Sequence, residues 1–136
     1  MSVSPQGEIG IKVESDIVVA RRTVREAATQ IGFSMTDVTR IVTAASELAR
    51  NIFKYAGEGV MCWRCVESDG RSGLELQFVD HGPGIPDIEL ALQGGYSTGD
   101  GLGMGLPGAK RLMDEMEIQS AVGQGTTVTL KKWRKN

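Results

Sequence analysis

Half of the glycines in this sequence fall within one internal segment, and this concentration limits what the chain can fold into. Residues 82–108 contain nine of the 18 glycines, including the run GDGLGMGLPG at 99–108 that leads into AKRLMDEM. A long glycine-rich segment inside a compact domain is usually a functional loop or is disordered. A glycine-rich turn at the start of a helix is also the usual way in which backbone amides bind phosphate. The sequence therefore predicts a phosphate-binding loop in front of a helix.

Two common phosphate-binding motifs match this run only in part. Residues 103–108 satisfy the dinucleotide fingerprint GxGxxG, but glycine-rich sequence precedes them instead of a strand, and residues 121–129 contain no acidic ribose ligand. Residues 103–110 approach the P-loop pattern, but Ala109 precedes Lys110 and no Ser or Thr follows it. The identity of the phosphate ligand therefore depends on motifs elsewhere in the chain.

The composition is that of a globular domain and excludes several classes of function. The chain has 136 residues, 40% of them hydrophobic and 24% charged, which suits one domain with a substantial core. Its formal net charge of −2 gives no attraction for nucleic acid or an anionic membrane, and the basic stretch KKWRK at 131–135 is interpreted as a solvated strand end. No apolar run approaches the roughly 20 residues of a membrane helix, and no secretory signal begins the sequence. We therefore expect a single cytoplasmic domain over residues 1–136.

Cys62 and Cys65 form a CxxC motif, which would suit a redox or metal site. They lie within GVMCWRCVES, which is typical of a strand, so side chains three positions apart point to opposite faces. A redox pair would instead lie at a helix start, and two cysteines with one histidine cannot complete a tetrahedral zinc site. We therefore interpret them as ordinary thiols in a reducing compartment.

Hydrophobic periodicity predicts helices and strands over most of the remaining sequence. Alternation at Ile9, Ile11 and Val13 predicts a strand, and two helical stripes follow, the first ending at Gly32 and the second beginning at a capping Thr36. The predicted strands are 7–15, 59–67, 73–80, 116–122 and 125–133, and the predicted helices are 16–31, 36–56 and 104–115, with one short helix in DIELAL at 87–92. This order favours an α/β two-layer sandwich with helices on one face of a sheet.

Three polar residues of the second predicted helix share one face. Glu47, Asn51 and Lys54 are spaced i, i+4 and i+7, which places them together on the side opposite the apolar stripe. A plain solvated face would show the same pattern. The chemistry also fits a nucleotide site, because an asparagine oxygen can bind Mg²⁺, a glutamate can accept a proton and a lysine can reach a phosphate.

Two further short motifs flank the glycine-rich segment. Asp80 ends a predicted strand and is followed by Gly82 and Gly84, which would let a flat ligand with an exocyclic amine approach its carboxylate. An ordinary turn that begins with aspartate would look the same. Gly125 and Thr126, in GQGTT before the last strand, could donate hydrogen bonds to a phosphate or could form a tight hairpin.

In this order, the motifs resemble those of the GHKL superfamily of ATPases and kinases, which has the Bergerat ATP-binding fold. The shared pattern is ExxxN on a helix, DxGxG after a strand, a glycine-rich lid that ends in GxG, and GT before the last strand. The resemblance covers nearly the whole chain. It implies a mixed, mostly antiparallel sheet, with ATP as the ligand and an ATP lid at about residues 85–103.

The resemblance also implies a role for each matching residue. Asn51 would bind Mg²⁺, Glu47 would be the catalytic base, and Lys54 would approach the γ-phosphate. Asp80 would accept a hydrogen bond from the adenine amine. The other implied nucleotide-binding residues are Gly82, Gly84, Gly101, Gly103, Gly105 and Thr126, with Gly101 beyond the minimal pattern. His81 lies at a variable position of the motif and is interpreted as a surface residue.

Within the superfamily, the chain is most similar to the free-standing anti-sigma and switch kinases of bacteria. At 136 residues we expect neither the transducer domain of gyrase-type and chaperone ATPases nor the phosphoacceptor helices of sensor histidine kinases. The resemblance implies a serine/threonine protein kinase that uses ATP and Mg²⁺ in stress signalling. Its implied partners are STAS-domain stressosome proteins of the RsbS and RsbR type, and a PP2C-type phosphatase of the RsbU type that it activates by binding. Two alternatives stay open: a binding protein whose nucleotide only sets its conformation, and an ATPase fragment of a larger machine.

Overall fold

The computed structural model describes residues 5–85 and 105–135, which form a five-stranded sheet with helices packed against it. In chain order the elements are β1 Gln6–Ile11, α1 Ser15–Ile31, α2 Met35–Asn51, a π-helical turn Ile52–Ala56, β2 Gly59–Ser68, β3 Arg71–Asp80, α3 Gly105–Leu112, β4 Glu115–Ala121 and β5 Gly125–Trp133. The short helix predicted at 87–92 and almost all of the predicted lid lie outside the described residues. Within those residues, no helix has the length and apolar character that a membrane span requires.

The sheet has the strand order β1-β2-β3-β5-β4. All four pairings between these strands are antiparallel, so the prediction of a mostly antiparallel sheet is confirmed and the described strands contain no parallel pair. The helices pack on one another and on one face of the sheet, as the two-layer sandwich requires. The fold class predicted from the sequence is therefore confirmed.

The two faces of the sheet differ in polarity because side chains alternate along each strand. The helix-facing side carries buried apolar residues, among them Met61, Leu76, Phe78, Val128 and Leu130, which form the core with the inner stripes of the helices. The opposite face is polar. There Glu75 lies between its register partners Arg64 and Lys131, with Arg64 Nε 2.8 Å from Glu75 Oε1 and Lys131 Nζ 3.8 Å from Glu75 Oε2.

The helix boundaries differ from their predicted positions at two places where a side chain caps the backbone. The Oγ of Ser34 accepts a hydrogen bond from the Asp37 amide at 3.1 Å, so Ser34 caps α2 and the prediction of Thr36 was wrong. Strand β1 stops at Ile11 because the Asp16 carboxylate accepts the amides of Lys12 and Val13 at 2.9 and 3.0 Å, which turns the chain into α1. The predicted end of α1 is confirmed, since Gly32 adopts φ 101° there.

A cluster of buried charges fixes the start of α2. Lys132 on β5 is only 4% exposed, and its Nζ donates to the Leu112 carbonyl oxygen at 3.0 Å. The same Nζ lies 4.0 Å from the buried carboxylate of Asp37 and 3.6 Å from Asp114 Oδ1. The interpretation of 131–135 as a solvated strand end was therefore wrong at Lys132, which ties β5 to the start of α2 and the end of α3.

Two glycines on the sheet give room to the two tryptophans of the sequence. A Cβ on Gly7 would lie 2.8 Å from Nε1 of Trp63, its neighbour on β2, and a Cβ on Gly73 would lie 2.6 Å from the Trp133 ring. Trp133 also donates from Nε1 to Glu115 and lies under the Arg71 guanidinium, 5.1 Å from the ring centroid. Both indoles are thereby packed into the framework of the sheet.

The cysteines of the CxxC motif both lie on β2 as free thiols. Cys62 is paired with Gln77 on the polar face and Cys65 with the buried Leu74 on the helix-facing side, so the prediction of opposite faces is confirmed. Burial raises the pKa of both thiols, and Glu8 raises that of Cys62 further. A raised pKa leaves a thiol protonated, which is the opposite of what a reactive thiolate needs.

Candidate nucleotide-binding site

A single row of residues crosses the end of the sheet where β3 stops. In register, Gly59 of β2 is opposite Asp80 of β3, Asp80 is opposite Thr126 of β5, and Thr126 is opposite Ser120 of β4. Residues that are directly opposite one another project to the same side of an antiparallel sheet. These side chains share the side that carries Phe78 and Val128, so they lie on the helix-covered face. The structure therefore brings together Asp80 and Thr126, two of the predicted site residues.

The carboxylate of Asp80 is anchored on one oxygen only. Its Oδ1 accepts a hydrogen bond from the amide of Gly82 at 2.9 Å. Within residues 5–85 and 105–135, no donor reaches the second oxygen, Oδ2. A carboxylate held in this way is oriented by the protein and keeps one acceptor available for a donor on a ligand.

Glycines around Asp80 allow backbone segments to pack where a side chain would collide. Gly125 has φ 103°, and a Cβ there would overlap the carbonyl oxygen of Asp80. Gly84 has φ 79°, and a Cβ there would overlap the carbonyl oxygen of Ala121. The amide of Gly123 also donates to the carbonyl oxygen of Pro83 at 2.9 Å. The segment that follows Asp80 is therefore held against the β4–β5 hairpin.

Ser120 links this hairpin to the same segment, and sequence reasoning missed it. Its Oγ accepts the amide of Ile85 at 2.8 Å and donates to the carbonyl oxygen of Gly125 at 3.0 Å. It also lies 2.9 Å from Oγ1 of Thr126. In the sequence, Ser120 is an ordinary alternating position of a strand. Only the pairing of β4 with β5 places it next to Thr126.

Glu47 and Asn51 lie on the last turns of α2 and share one side of it. Both are half-buried, so this face of α2 is not a plainly solvated one. Helix α3 packs against α2 as well. Glu47 Oε1 lies 3.5 Å from Nη1 of Arg50. Among the described residues, the Asn51 side chain makes no hydrogen bond, although its surroundings are partly closed.

The π-helical turn after Asn51 packs directly on the row at the end of the sheet. A Cβ on Gly59 would lie 2.8 Å from Cγ2 of Ile52 and 3.3 Å from the Cβ of Asp80. A Cβ on Gly82 would lie 2.7 Å from the Cβ of Ala56. The start of α2 is fixed at the other end of β5 by Lys132, so α2 runs along the sheet and ends beside Asp80. Single π-helical turns of this kind often occur at functional sites.

The role of Lys54 was predicted from regular α-helical spacing, which the structure does not show at this residue. It lies within the π-helical turn, where the i→i+5 pattern replaces the regular spacing, so its alignment with Glu47 over seven residues no longer holds. Its side chain is exposed, and Nζ lies 5.3 Å from the centroid of the Tyr55 ring. Its predicted approach to a phosphate stays a prediction.

The remaining predicted site residues belong to the glycine-rich segment and its borders. Gly105 is the first residue of α3, and Gly101 and Gly103 lie outside the described residues. Helix α3 packs against α2, and the carbonyl oxygen of its last residue, Leu112, accepts a hydrogen bond from Lys132. His81 is exposed, in agreement with its interpretation as a surface residue.

The donors and acceptors at this end of the sheet fit a nucleotide with a bound divalent cation. Oδ2 of Asp80 and the hydroxyl of Thr126 can meet a base. The uncommitted Asn51 oxygen is the hard ligand that Mg²⁺ prefers. The first amides of a helix such as α3 are the usual donors to phosphate. The residues present therefore suit both groups.

Sequence comparisons identify relatives over nearly the whole chain. The family model of the histidine kinase-like ATPase domain matches residues 12–132. Serine/threonine-protein kinase RsbT of Bacillus subtilis is 47% identical over 96% of this chain and 98% of its own length. The anti-sigma F factor of Geobacillus kaustophilus is 38% identical over 83% of this chain and 81% of its own length.

A solved structure shows the same fold. The crystal structure of the RsbU and RsbW domains of a Mycobacterium tuberculosis protein superposes with a TM-score of 0.65 at 22% identity. The match covers 96% of this chain and 33% of that one, so this chain spans a third of that protein. The family match and the 47% identity to RsbT confirm the resemblance to the GHKL superfamily. The chain belongs to the histidine kinase-like ATPase family, in its group of ATP-binding serine/threonine protein kinases.

Proposed function

We propose that this chain transfers the γ-phosphoryl group of ATP to a serine or threonine of a STAS-domain protein of the RsbS or RsbR type in stress signalling. One observation carries the assignment of the site: the π-helical turn that follows Asn51 packs against Gly59 and Gly82, beside Asp80 at one end of the sheet. The 47% identity to RsbT supports the choice of substrate class.

Asp80 and the glycines after it would hold the nucleotide base. Oδ1 of Asp80 is occupied by the Gly82 amide, so Oδ2 would accept a hydrogen bond from the exocyclic amine of adenine. Gly82 and Gly84 would let the flat base approach the backbone, and Thr126 would complete the pocket from β5. This arrangement favours adenine because a carboxylate can only accept.

Asn51 would hold Mg²⁺, and the start of α3 would bind the phosphates. The metal would supply charge neutralisation on the phosphate oxygens when it is bound. The backbone amides at Gly105, together with the predicted contributions of Gly101 and Gly103 from the lid at 85–103, would donate to those oxygens. Lys54 would add a positive charge near the γ-phosphate. These groups supply position and electrostatic stabilisation, which dominate phosphoryl transfer.

Glu47 would accept the proton of the attacking hydroxyl. Its side chain is 20% exposed and lies one helical turn before Asn51, so it would face a substrate held beside that residue. The Arg50 guanidinium, at 3.5 Å, restricts the rotamers of Glu47 without closing off its carboxylate. General base catalysis of this kind typically contributes about 10²–10⁴-fold in rate.

The wider setting of this kinase is also part of the proposal. It would act in the cytoplasm as a single domain over residues 1–136. After phosphorylating its STAS partner, it would bind and activate a PP2C-type phosphatase of the RsbU type. The resemblance found in the sequence implies both steps.

A second function is a nucleotide-gated binding protein that acts as an anti-sigma factor or phosphatase activator. The 38% identity to an anti-sigma F factor favours it as the alternative. The two functions differ in one measurable event, because only the kinase transfers phosphate to its partner.

The test is phosphorylation of an RsbS-type STAS protein by the wild-type chain and by Asn51→Ala. With Mg²⁺ and ATP, the wild type should add one phosphate to its partner, measured by mass spectrometry. Asn51→Ala should lose at least about 100-fold in rate, since the metal ligand is gone, while its circular dichroism stays native. Gln30→Ala, an exposed amide on α1, is the matched control and should behave as the wild type. Full activity in a folded Asn51→Ala would contradict the assignment of the site.

A further inference from the structure

The hydroxyl of Ser120 lies within hydrogen-bond distance of two oxygens but has only one proton to donate. These oxygens are the carbonyl oxygen of Gly125, 3.0 Å from Ser120 Oγ, and Oγ1 of Thr126, 2.9 Å from it. Ser120 Oγ also accepts a hydrogen bond from the Ile85 amide at 2.8 Å. A carbonyl oxygen can only accept, whereas a threonine hydroxyl can donate or accept. All three contacts are hydrogen bonds only when Ser120 donates to Gly125 and Thr126 donates to Ser120.

This arrangement fixes what Thr126 can offer to a ligand. With its proton directed at Ser120, Oγ1 of Thr126 keeps only lone pairs for the pocket and acts as an acceptor. Its register partner Asp80 offers the acceptor Oδ2 on the same side of the sheet, since opposite side chains lie about 5 Å apart. The pocket wall between β3 and β5 therefore presents two acceptors and no donor from these two side chains.

We propose that Ser120 is a positioning residue that sets the base preference of the site, by holding the Thr126 hydroxyl as an acceptor so that the pocket selects a 6-aminopurine over a 6-oxopurine. This inference rests on the proposed function for the placement of the base beside Asp80. A 6-oxo group presents an acceptor where the amine of adenine presents donors. It would then face two acceptors, and buried acceptors that meet one another cost binding free energy.

The test is the dissociation constants of ATP and inosine triphosphate, measured by calorimetry on the wild type, Ser120→Ala and Ser72→Ala. In Ser120→Ala the Thr126 hydroxyl is free to rotate and to donate. ATP binding should weaken about three- to tenfold, the equivalent of one hydrogen bond, while inosine triphosphate binding stays the same or improves. The preference for ATP should therefore fall at least threefold. Ser72→Ala, at the far end of β3, is the matched control and should keep the wild-type preference.

A second pair of variants keeps the inference testable if Ser120→Ala does not fold. Ser120→Thr retains the hydroxyl and should keep the preference for ATP. Thr126→Val removes the acceptor at constant shape and should lower the preference as Ser120→Ala does. An unchanged preference in Ser120→Ala or in Thr126→Val would overturn the inference, and so would a wild type that binds both nucleotides equally.

These measurements separate the inference from the proposed function. A wild-type protein that prefers ATP but adds no phosphate to an RsbS-type partner contradicts the kinase reaction and supports the role of Ser120. A wild-type protein that phosphorylates its partner equally well from ATP and inosine triphosphate contradicts the role of Ser120 and supports the kinase reaction.

Discussion

The two ends of the sheet differ in whether their polar side chains find hydrogen-bond or ion-pair partners within the described protein. At the end where α2 begins, the buried Lys132 contacts both the buried Asp37 carboxylate and the Leu112 carbonyl oxygen. At the end where β3 stops, Asp80 Oδ2 and the Asn51 amide have no partner among the described residues. Both side chains are only partly buried, so water or a ligand can occupy their remaining hydrogen-bonding positions. The contrast separates polar residues whose partners lie within the fold from polar residues that keep hydrogen-bonding positions available.

The largest expected effect comes from removing the ammonium group of Lys132, at the end of the sheet where α2 begins. Lys132→Met should lower the free energy of unfolding by about 3–5 kcal/mol, because it leaves the Asp37 carboxylate buried with only the Arg40 pair. Urea denaturation measures this change. Lys131→Met is the matched control, since Lys131 lies on the polar face 3.8 Å from Glu75 and should contribute only about 0–1 kcal/mol. Equal losses in the two variants would remove the distinction between the ends.

The next largest effect concerns Asp80, at the end of the sheet where β3 stops. Asp80→Asn keeps an oxygen for the Gly82 amide but places a donor where Oδ2 was, so ATP should bind about 10- to 100-fold more weakly, measured by calorimetry. The free energy of unfolding without nucleotide should stay within about 0.5 kcal/mol of the wild type, because no internal contact is lost. Asp69→Asn in the β2–β3 turn is the control for ATP binding. A large loss of stability in Asp80→Asn would place this carboxylate among the structural groups.

The smallest effect concerns Asp16, a carboxylate whose Oδ2 accepts two backbone amides. The amides of Lys12 and Val13 hold the pKa of Asp16 below its ordinary value near 3.8. A lowered folded-state pKa contributes stability above the unfolded value and loses it as the pH falls through the folded value. Asp16→Asn should therefore be less stable than the wild type at pH 7, and the difference should shrink below about pH 4. Thermal denaturation at pH 7 and pH 3 checks this, and a difference independent of pH would contradict it.

The sequence predicted those features that depend on local pattern. Alternation and helical spacing indicated all five strands and the three longer helices, and glycines marked the turn after Asp80. Ser34 and Thr36 are equally good caps by residue type, and only the structure distinguishes them. The π-helical turn was missed because the apolar stripe of α2 continues into it.

Features that depend on strand order were beyond the reach of the sequence. The burial of Lys132 follows from the positions of Asp37 and Leu112, which are distant in the chain. The contact of Ser120 with Thr126 follows from the pairing of β4 with β5. Each is a polar residue at an inward-facing position of its strand, and residue type alone would assign it to solvent.

The packing of the two tryptophans over Gly7 and Gly73 gives this protein a convenient optical signal. Trp63 lies four residues along β2 from Gly59, and Trp133 lies seven residues along β5 from Thr126, distances of about 13 and 23 Å at the rise of a strand. Indole emission at these places should report the loss of the folded sheet and change little when a nucleotide binds. Fluorescence can therefore follow denaturation of every variant above, while nucleotide affinity is read by an independent method.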